Sequence, residues 1–520
     1  MSSYFKFSDD KSLRDDYIDQ TIDRERKVEI QSKWSKYNVF NAFNWYPSHY
    51  SSCEKKFLLK FDGFILLFLC FSFYTKYLDN SNVGTAYVSG MKEDLNLKGN
   101  ELNYINTCYT VGYAIFQIPI TMLFTKPKYS RHIILFCELA WGLMTLANAY
   151  VTNVQQMYVI RFFIGVFEAS SFPVAYVILS SYLHPDELFK RCGFYGAWAA
   201  AGIASAGALQ SSAMKHLDGI NGMAGWRWQF IINAVITFGV FLFGFFFFPG
   251  IPTSCSSFGF FTEDDMTFAR KRVEKVVNTP KKWTLLTFKD TFLTWQIYLC
   301  ALLWILHGKA WYANGDQLYM KSAHHYFKGT EVTTWDSYIQ CIGIISSLIV
   351  PPLCAYYGKM IPTNAICFVA YYSAIILIIW DVPNNVLMSS FFLQPLYTSG
   401  IAQVFYSWFA VLCRDNVEKK AIVLSFALTT SYAVNAFSTP LQYNIKNSPS
   451  FKNGYIANLI ILICAHLSFF AIWFLEKYDT KVCPKIAGNR ANYKEISIIS
   501  NIDDLENAKT ETIETTIIYS

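Results

Sequence analysis

Long apolar runs recur along this chain and constrain its fold more than any other feature. A run of about twenty residues matches the ~30 Å hydrocarbon core of a bilayer at ~1.5 Å per helical residue. Inside a bilayer, only helices and closed barrels satisfy their own backbone hydrogen bonds. We therefore predict an all-α, polytopic membrane protein with twelve transmembrane helices, near residues 57–82, 102–124, 131–151, 155–181, 190–213, 227–249, 292–313, 333–356, 362–380, 385–411, 420–442 and 454–475.

The longest gap between these spans follows the sixth and divides them into two equal sets. It is rich in Lys and Arg, as are the segments before the first span and after the last. The positive-inside rule therefore places both termini and the central loop in the cytoplasm. We predict an N-terminal tail (1–54), an N-terminal six-helix bundle (55–249), a central loop (250–290), a C-terminal six-helix bundle (291–478) and a C-terminal tail (479–520).

The remaining composition argues against several classes of protein. The net charge of +6 lies mostly between and beyond the spans, which gives no reason to expect nucleic-acid binding. Most of the 13 cysteines lie within apolar runs and no CxxC pair occurs, so we expect neither a metal site nor a disulfide framework. No catalytic motif appears in a suitable context, and we expect neither an enzyme nor a cofactor.

Two spans carry ionisable residues at membrane depth, where such groups are costly unless they face protein, water or a ligand. The fourth span contains Arg161 and Glu168, which are seven residues apart and so share one helical face. The first span contains Lys76, Asp79 and Asn82 at three-residue steps. We interpret these three residues as one helical surface that faces a cavity.

Three segments carry a resemblance to a known family of transporters. They are KYLDNSNVGTAYVSGMKEDL (76–95), RFFIGVFEASSFP (161–173) and HLDGINGMAGWRWQFII (216–232). The chain resembles the anion:cation symporter branch of the major facilitator superfamily, and within it the fungal allantoate permease group, most of all its pantothenate and biotin transporters. The resemblance spans residues 60–478.

This resemblance implies a fold, a function and a set of partners. The expected fold is two six-helix bundles with a substrate site between them near the midplane. The expected function is proton-coupled uptake of a small organic anion, such as the vitamin monocarboxylates pantothenate and biotin, at the plasma membrane. The partners would be the anion, a proton and the lipid bilayer, with a monomer as the functional unit.

The resemblance also implies roles for single residues. In bacterial sugar-acid symporters of this family, an acid followed by an arginine on the first span, and an arginine and a glutamate on the fourth, couple proton to anion. Asp79, Arg161 and Glu168 match that pattern, whereas Asn80 occupies the position of the first arginine. We therefore hypothesise that Lys76 supplies the second positive charge.

In this hypothesis, Arg161 binds the substrate carboxylate through its planar, permanently charged fork. Asp79 and Glu168 carry the coupling proton, because coupling needs a group that gains and loses one. A permanent ion pair of Arg161 with either carboxylate, which would only hold helices together, is the alternative.

The C-terminal half offers further candidates. His307, in the seventh span, suits a proton relay, although snorkelling to the interface explains its neighbours Lys309 and Trp311 equally well. Amide groups in the tenth and eleventh spans suit contacts with hydroxyl or amide groups of a substrate. The complete set of predicted substrate-binding residues is Lys76, Arg161, Asn82, His307, Gln394 and Asn435.

Two other functions fit the same sequence. One is transport of another anion of the family, such as nicotinate, allantoate, a sulfonate or cysteine. The other is a nutrient sensor that binds the anion without transporting it. Such sensors usually have a large cytoplasmic extension, which the short predicted tail at 479–520 does not resemble.

Overall fold

The computed structural model describes residues 39–47, 50–254, 257–274, 285–310, 329–413, 416–443 and 451–482. Most of both predicted tails, and Trp311, lie outside these residues. The described part has a helical unit at each predicted span, which confirms the all-α fold class. The units are α1 (Ser52–Ala86), α2 (Glu101–Phe124), α3 (Ser130–Asn148), α4 (Val154–Tyr182), α5 (Pro185–Leu217), α6 (Gly225–Phe247), α7 (Trp295–Ala310), α8 (Gly329–Tyr357), α9 (Met360–Ile379), α10 (Asn384–Pro395, Leu396–Ile401 and Ala402–Leu412), α11 (Val417–Gln442) and α12 (Lys452–Val482).

Eight of these helices, within the described residues, are long and apolar enough to cross a membrane: α1, α2, α4, α5, α6, α8, α9 and α12. The other four are shorter or more polar. For example, α7 is described over only 16 residues, and α3 carries Arg131 and Glu138. Polar residues inside a span lower its mean hydropathy, and they also mark positions where the helix faces protein.

Local sequence explains where several helices begin and break. Ser51 caps α1 by accepting a hydrogen bond from the backbone N–H of Glu54 at 3.1 Å. Two residues, Ala169 and Ser170, interrupt the helical hydrogen-bond pattern of α4 after Glu168. Pro173 lacks the backbone N–H that would continue this pattern. The Ser171 hydroxyl instead donates to the carbonyl oxygen of Glu168 at 2.8 Å. This break fixes the backbone directly beside Glu168.

Helices of the first half of the chain (α1–α6) pack mainly on one another, as do those of the second half (α7–α12). The two halves meet where α5 packs on α8, α2 packs on α11, and the end of α4 packs on α10 and α11. Gly193 of α5 allows a close approach of the two backbones, because a Cβ there would overlap with the carbonyl oxygen of Ser347 on α8. The division into two bundles at the central loop therefore has a packing basis.

A short helix of the central loop, the loop helix (Glu263–Glu274), packs at the end of the molecule where α1 and α5 begin. We call this end the loop-helix face. Arg272 of the loop helix is buried there between two carboxylates, with its Nη2 atom 2.5 Å from both Glu54 Oε1 and Glu187 Oε1. Burial alone would lower the pKa of Arg272, but the charges of Glu187 and Glu54 raise it above its usual value.

The Arg272 cluster generates a stability prediction. Substitution Arg272→Ala would leave Glu54 and Glu187 buried without their cation, at a cost of about 3–5 kcal/mol. As a control, Lys60→Ala would remove the more exposed pair with Asp265 on the same helix, where we expect less than about 1 kcal/mol. Thermal unfolding of the purified protein in detergent measures both changes. Equal small losses of stability in both variants would show that Arg272 does not attach the loop helix to α1 and α5 more strongly than Lys60 does.

Candidate substrate and proton sites

A cavity of about 180 Å³ lies between the two halves, lined by α1, α2, α4 and α5 from the first half and α7, α8, α10 and α11 from the second. Much of its wall is aromatic, formed by Phe73, Tyr77, Tyr113, Phe172, Trp304 and Tyr432. On the loop-helix side, the ring of Tyr406 packs 4.7 Å from Tyr176 and 4.5 Å from Phe172, centroid to centroid. These buried rings join the halves beneath the cavity.

Lys76 projects from α1 into this cavity and is almost fully buried. Its Nζ atom donates a hydrogen bond to the Tyr113 hydroxyl at 2.7 Å and lies 4.2 Å from the centroid of the same ring. Within the described residues, it forms no ion pair. A buried ammonium group is costly unless a negative charge or hydrogen-bond acceptors compensate it, and here the open cavity leaves room for such a group.

The second half contributes neutral polar groups, which we call the polar wall (Gln340, Ser399, Ser431 and Asn435). Within the described part of the chain, these side chains have no hydrogen-bond partner, so they can bind a ligand. Gly308 leaves room for the wall, because a Cβ there would lie 2.8 Å from Ser431 Oγ and 3.3 Å from Asn435 Nδ2. His307 also lines the cavity, with its ring packed against Trp304 and Tyr397.

Arg161 and Glu168 lie behind this cavity and are joined through two neutral side chains. Tyr109 donates to Glu168 Oε2 at 2.7 Å, and the Asn80 amide donates to the same oxygen at 3.4 Å. Arg161 Nη2 donates to Asn80 Oδ1 at 3.5 Å, and its guanidinium lies 5.0 Å from the Tyr109 ring centroid. Arg161 forms no ion pair in the described part, so a direct pair with either carboxylate is absent from this conformation.

This buried cluster keeps open hydrogen-bonding capacity. The Nε and Nη1 atoms of Arg161 and the Oε1 atom of Glu168 have no partner among the described residues. The cluster adjoins the cavity through stacked rings, since Tyr109 lies 5.8 Å from Tyr113 and Tyr113 lines the cavity. A charge that enters the cavity at Lys76 therefore acts on Glu168 across a layer of two tyrosines.

The first-span residues do not share one cavity-facing surface, and this interpretation was wrong. Asp79 accepts hydrogen bonds from Trp141 at 3.0 Å and Thr145 at 2.6 Å, both on α3. Asn82 accepts one from Gln229 on α6. Each three-residue step turns a helical side chain back by about 60°. Of the three predicted residues, Lys76 alone lines the cavity.

Three of the predicted substrate-binding residues do not line the cavity in this conformation. Asn82 and Arg161 are buried away from the cavity. Gln394 donates its amide to the carbonyl oxygen of Ala310 at 3.2 Å and does not line the cavity either. Lys76, His307 and Asn435 do line it.

Sequence reasoning missed Tyr109 and Tyr113, which connect Lys76 to Glu168. Their spacing of four residues on one face of α2 was visible, but tyrosines at such spacing are common in spans. It also missed Gln340 and Ser399, because only the three-dimensional structure shows that these polar side chains line the cavity.

The chain matches the family model of the Major Facilitator Superfamily over residues 69–439. It belongs to this superfamily. It is 31% identical to the pantothenate transporter liz1 of Schizosaccharomyces pombe over 437 residues, which cover 82% of this chain and 84% of the relative. It is also 31% identical to the Saccharomyces cerevisiae pantothenate transporter FEN2 (83% and 86% covered) and 28% identical to the vitamin H transporter of the same yeast (88% and 81%).

Solved structures agree with this fold at low sequence identity. The proton:xylose symporter XylE superposes with a TM-score of 0.61 at 14% identity, covering 79% of this chain and 94% of XylE. The human organic anion transporter MFSD10 gives 0.54 at 13% identity, covering 78% and 98%. Its family and its named transporter relatives show that this chain is a multi-pass membrane transporter and not an enzyme.

Packing around Glu168 generates a second prediction. A Cβ at Gly165, one turn before Glu168, would overlap with the carbonyl oxygen of Tyr109. Gly165→Ala should therefore push α2 from α4 and cost about 1–3 kcal/mol, as overpacking usually does. Gly207→Ala is the matched control, since a Cβ there meets nothing within 4 Å. Thermal unfolding and membrane expression would reveal the difference, and an unaffected Gly165→Ala protein would contradict the close α2–α4 contact.

Proposed function

We propose that this transporter takes up a small organic anion together with a proton, and that the anion is a vitamin monocarboxylate such as pantothenate or biotin. The observation that carries the proposal is Lys76, a buried cation beside the cavity between the halves, without an ion pair in the described residues. Similarity to two pantothenate transporters and a vitamin H transporter favours the vitamin class.

In the proposed binding mode, the substrate lies across the interface between the halves. Its carboxylate pairs with Lys76, and its hydroxyl, amide or ureido groups bind the polar wall. The aromatic rings between these ends contact the apolar part of the substrate. This arrangement satisfies the ammonium group and the amide groups of the cavity, all of which are costly to leave unpaired in a membrane.

Glu168 is the proposed proton carrier. When Glu168 is ionised, its charge opposes a second negative charge at Lys76, because the two sites are separated only by Tyr109 and Tyr113. A proton on Glu168 removes this opposition, so binding of the proton and binding of the anion favour each other. Arg161 would then stabilise the carboxylate again once proton and anion have left.

The orientation follows from charge. Lys and Arg residues concentrate at the loop-helix face and in the central loop, so we propose that this face and both termini are cytoplasmic and that the host is the plasma membrane. The rings beneath the cavity would then close it toward the cytoplasm.

The anion site is tested by changing the charge of the protein and of the substrate together. Lys76→Gln should weaken uptake of labelled pantothenate by about 30-fold or more, the equivalent of ~2 kcal/mol for a truncated charge pair. The wild-type protein should prefer pantothenate over pantothenol, in which an alcohol replaces the carboxylate, and Lys76→Gln should lose this preference. Lys98→Gln, at an exposed position, is the control. A preserved preference in Lys76→Gln would refute the assignment.

Coupling is tested in proteoliposomes with an imposed pH gradient. In Glu168→Gln, a neutral side chain replaces the carrier, so acid outside should no longer drive accumulation, while exchange of labelled for unlabelled substrate should persist. Glu101→Gln, at the first residue of α2, should behave as wild type. Accumulation by Glu168→Gln that still follows the gradient would rule out this carrier. Parallel assays with biotin, nicotinate and allantoate would identify the preferred anion.

A further inference from the structure

The segment Val39–Pro47, which we call the strap, lies on the loop-helix face and contacts both halves of the molecule. Its first part is a 3₁₀-helix, Val39–Phe43, that packs against α8 of the second half. Its second part continues onto α1 and α5 of the first half. The strap therefore crosses the boundary between the two halves outside the membrane-spanning helices.

Specific contacts fix the second part of the strap. Lys190 of α5 donates its ammonium to the carbonyl oxygen of Asn44 at 2.8 Å. The Trp45 ring lies 5.7 Å from Phe194 in an edge-to-face arrangement and 5.2 Å from the Arg191 guanidinium. The Tyr46 hydroxyl donates to Asp62 Oδ2 at 2.7 Å.

The two charged residues of the first half that contact Trp45 and Tyr46 also bind each other. Arg191 forms a two-pronged pair with Asp62, at 2.5 and 2.7 Å. Burial and the neighbouring Asp62 carboxylate raise the pKa of Tyr46, so its phenol keeps the proton that it donates. This end of the strap is attached by charge-assisted, aromatic and hydrogen-bonded contacts together.

The first part of the strap lies against α8. Phe40 is 84% exposed and Val39 is 46% exposed, and Ala42 is the buried residue of the 3₁₀-helix.

Other contacts close the same face. Tyr176 of α4 donates to Gln403 of α10, and Lys420 of α11 donates to Ser180 of α4 at 2.9 Å. Transporters of this fold work by rocking one half against the other around the site. Rocking that opens the loop-helix face separates these ends of the halves, and a segment attached to both must release one of them.

We propose that the strap is a brake on transport: while it holds α5 and α8 together it favours the conformation closed at the loop-helix face, and its release from either half permits opening. The proposal needs only alternating access and holds whichever anion is carried. Any partner or modification that changes attachment of the strap would change the transport rate.

Native Cys192 provides a probe of opening. It is fully buried on α5 and faces Ser407 of α10, across the boundary between the halves. Alkylation by N-ethylmaleimide, followed by peptide mass spectrometry, reports how often this contact opens. Cys70, equally buried but within the first half, reports unfolding in the same sample.

Trp45→Ala in the full-length protein should raise the alkylation rate of Cys192 at least about five-fold, the lower end of typical coupling between sites, and leave Cys70 unchanged. Tyr46→Phe, which removes only the hydrogen bond to Asp62, should give a smaller rise in the same direction. Tyr129→Ala, a partly exposed aromatic residue at the loop between α2 and α3, is the control. Unchanged Cys192 labelling in both strap variants, or a parallel rise at Cys70, would overturn the brake.

Discussion

The cost of holding a charge away from water is the constraint on which this structure depends. In the first half, Lys76, Arg161, Asp79 and Glu168 are each almost fully buried, yet none of them forms a direct ion pair in the described residues. Their hydrogen-bond partners are instead neutral groups: tyrosine hydroxyls, an amide, an indole and a threonine hydroxyl. Such groups lower the free-energy cost of burying a charge without binding it to one oppositely charged partner. The charge can therefore change partners when a ligand or proton binds.

The loop-helix face resolves the same cost in the opposite way. Arg272 sits between Glu54 and Glu187, and Arg191 pairs with Asp62 at hydrogen-bonding distance. Direct pairs of this kind are strongly coupled and break only at a large cost. Charges that hold helices together and charges that can change partners thus occur in the same half of the protein. The first kind has a direct partner of opposite charge and the second kind does not.

The sequence predicted the fold more completely than the site. Each span leaves a continuous signal of about twenty residues, because hydrocarbon admits only helices that satisfy their own backbone. Site contacts leave no such signal. Lys76 meets Tyr113 from another helix, and Asn82 meets Gln229, 147 positions away in the chain. The three-residue spacing of Lys76, Asp79 and Asn82 looked like one surface, but each step turns the helix enough to reach a different neighbour.

The cavity is chemically asymmetric, and this asymmetry bears on how transport would work. Its cation lies on the first half, whereas the polar wall lies on the second. A substrate with a carboxylate at one end and hydrogen-bonding groups at the other gains full binding energy only when it touches both halves. A ligand shifts a conformational equilibrium only by its difference in affinity for the two states. In the proposed binding mode, a substrate that bridges the halves would bind best when they close around it, so its own shape would supply the difference in affinity that favours the rocking motion.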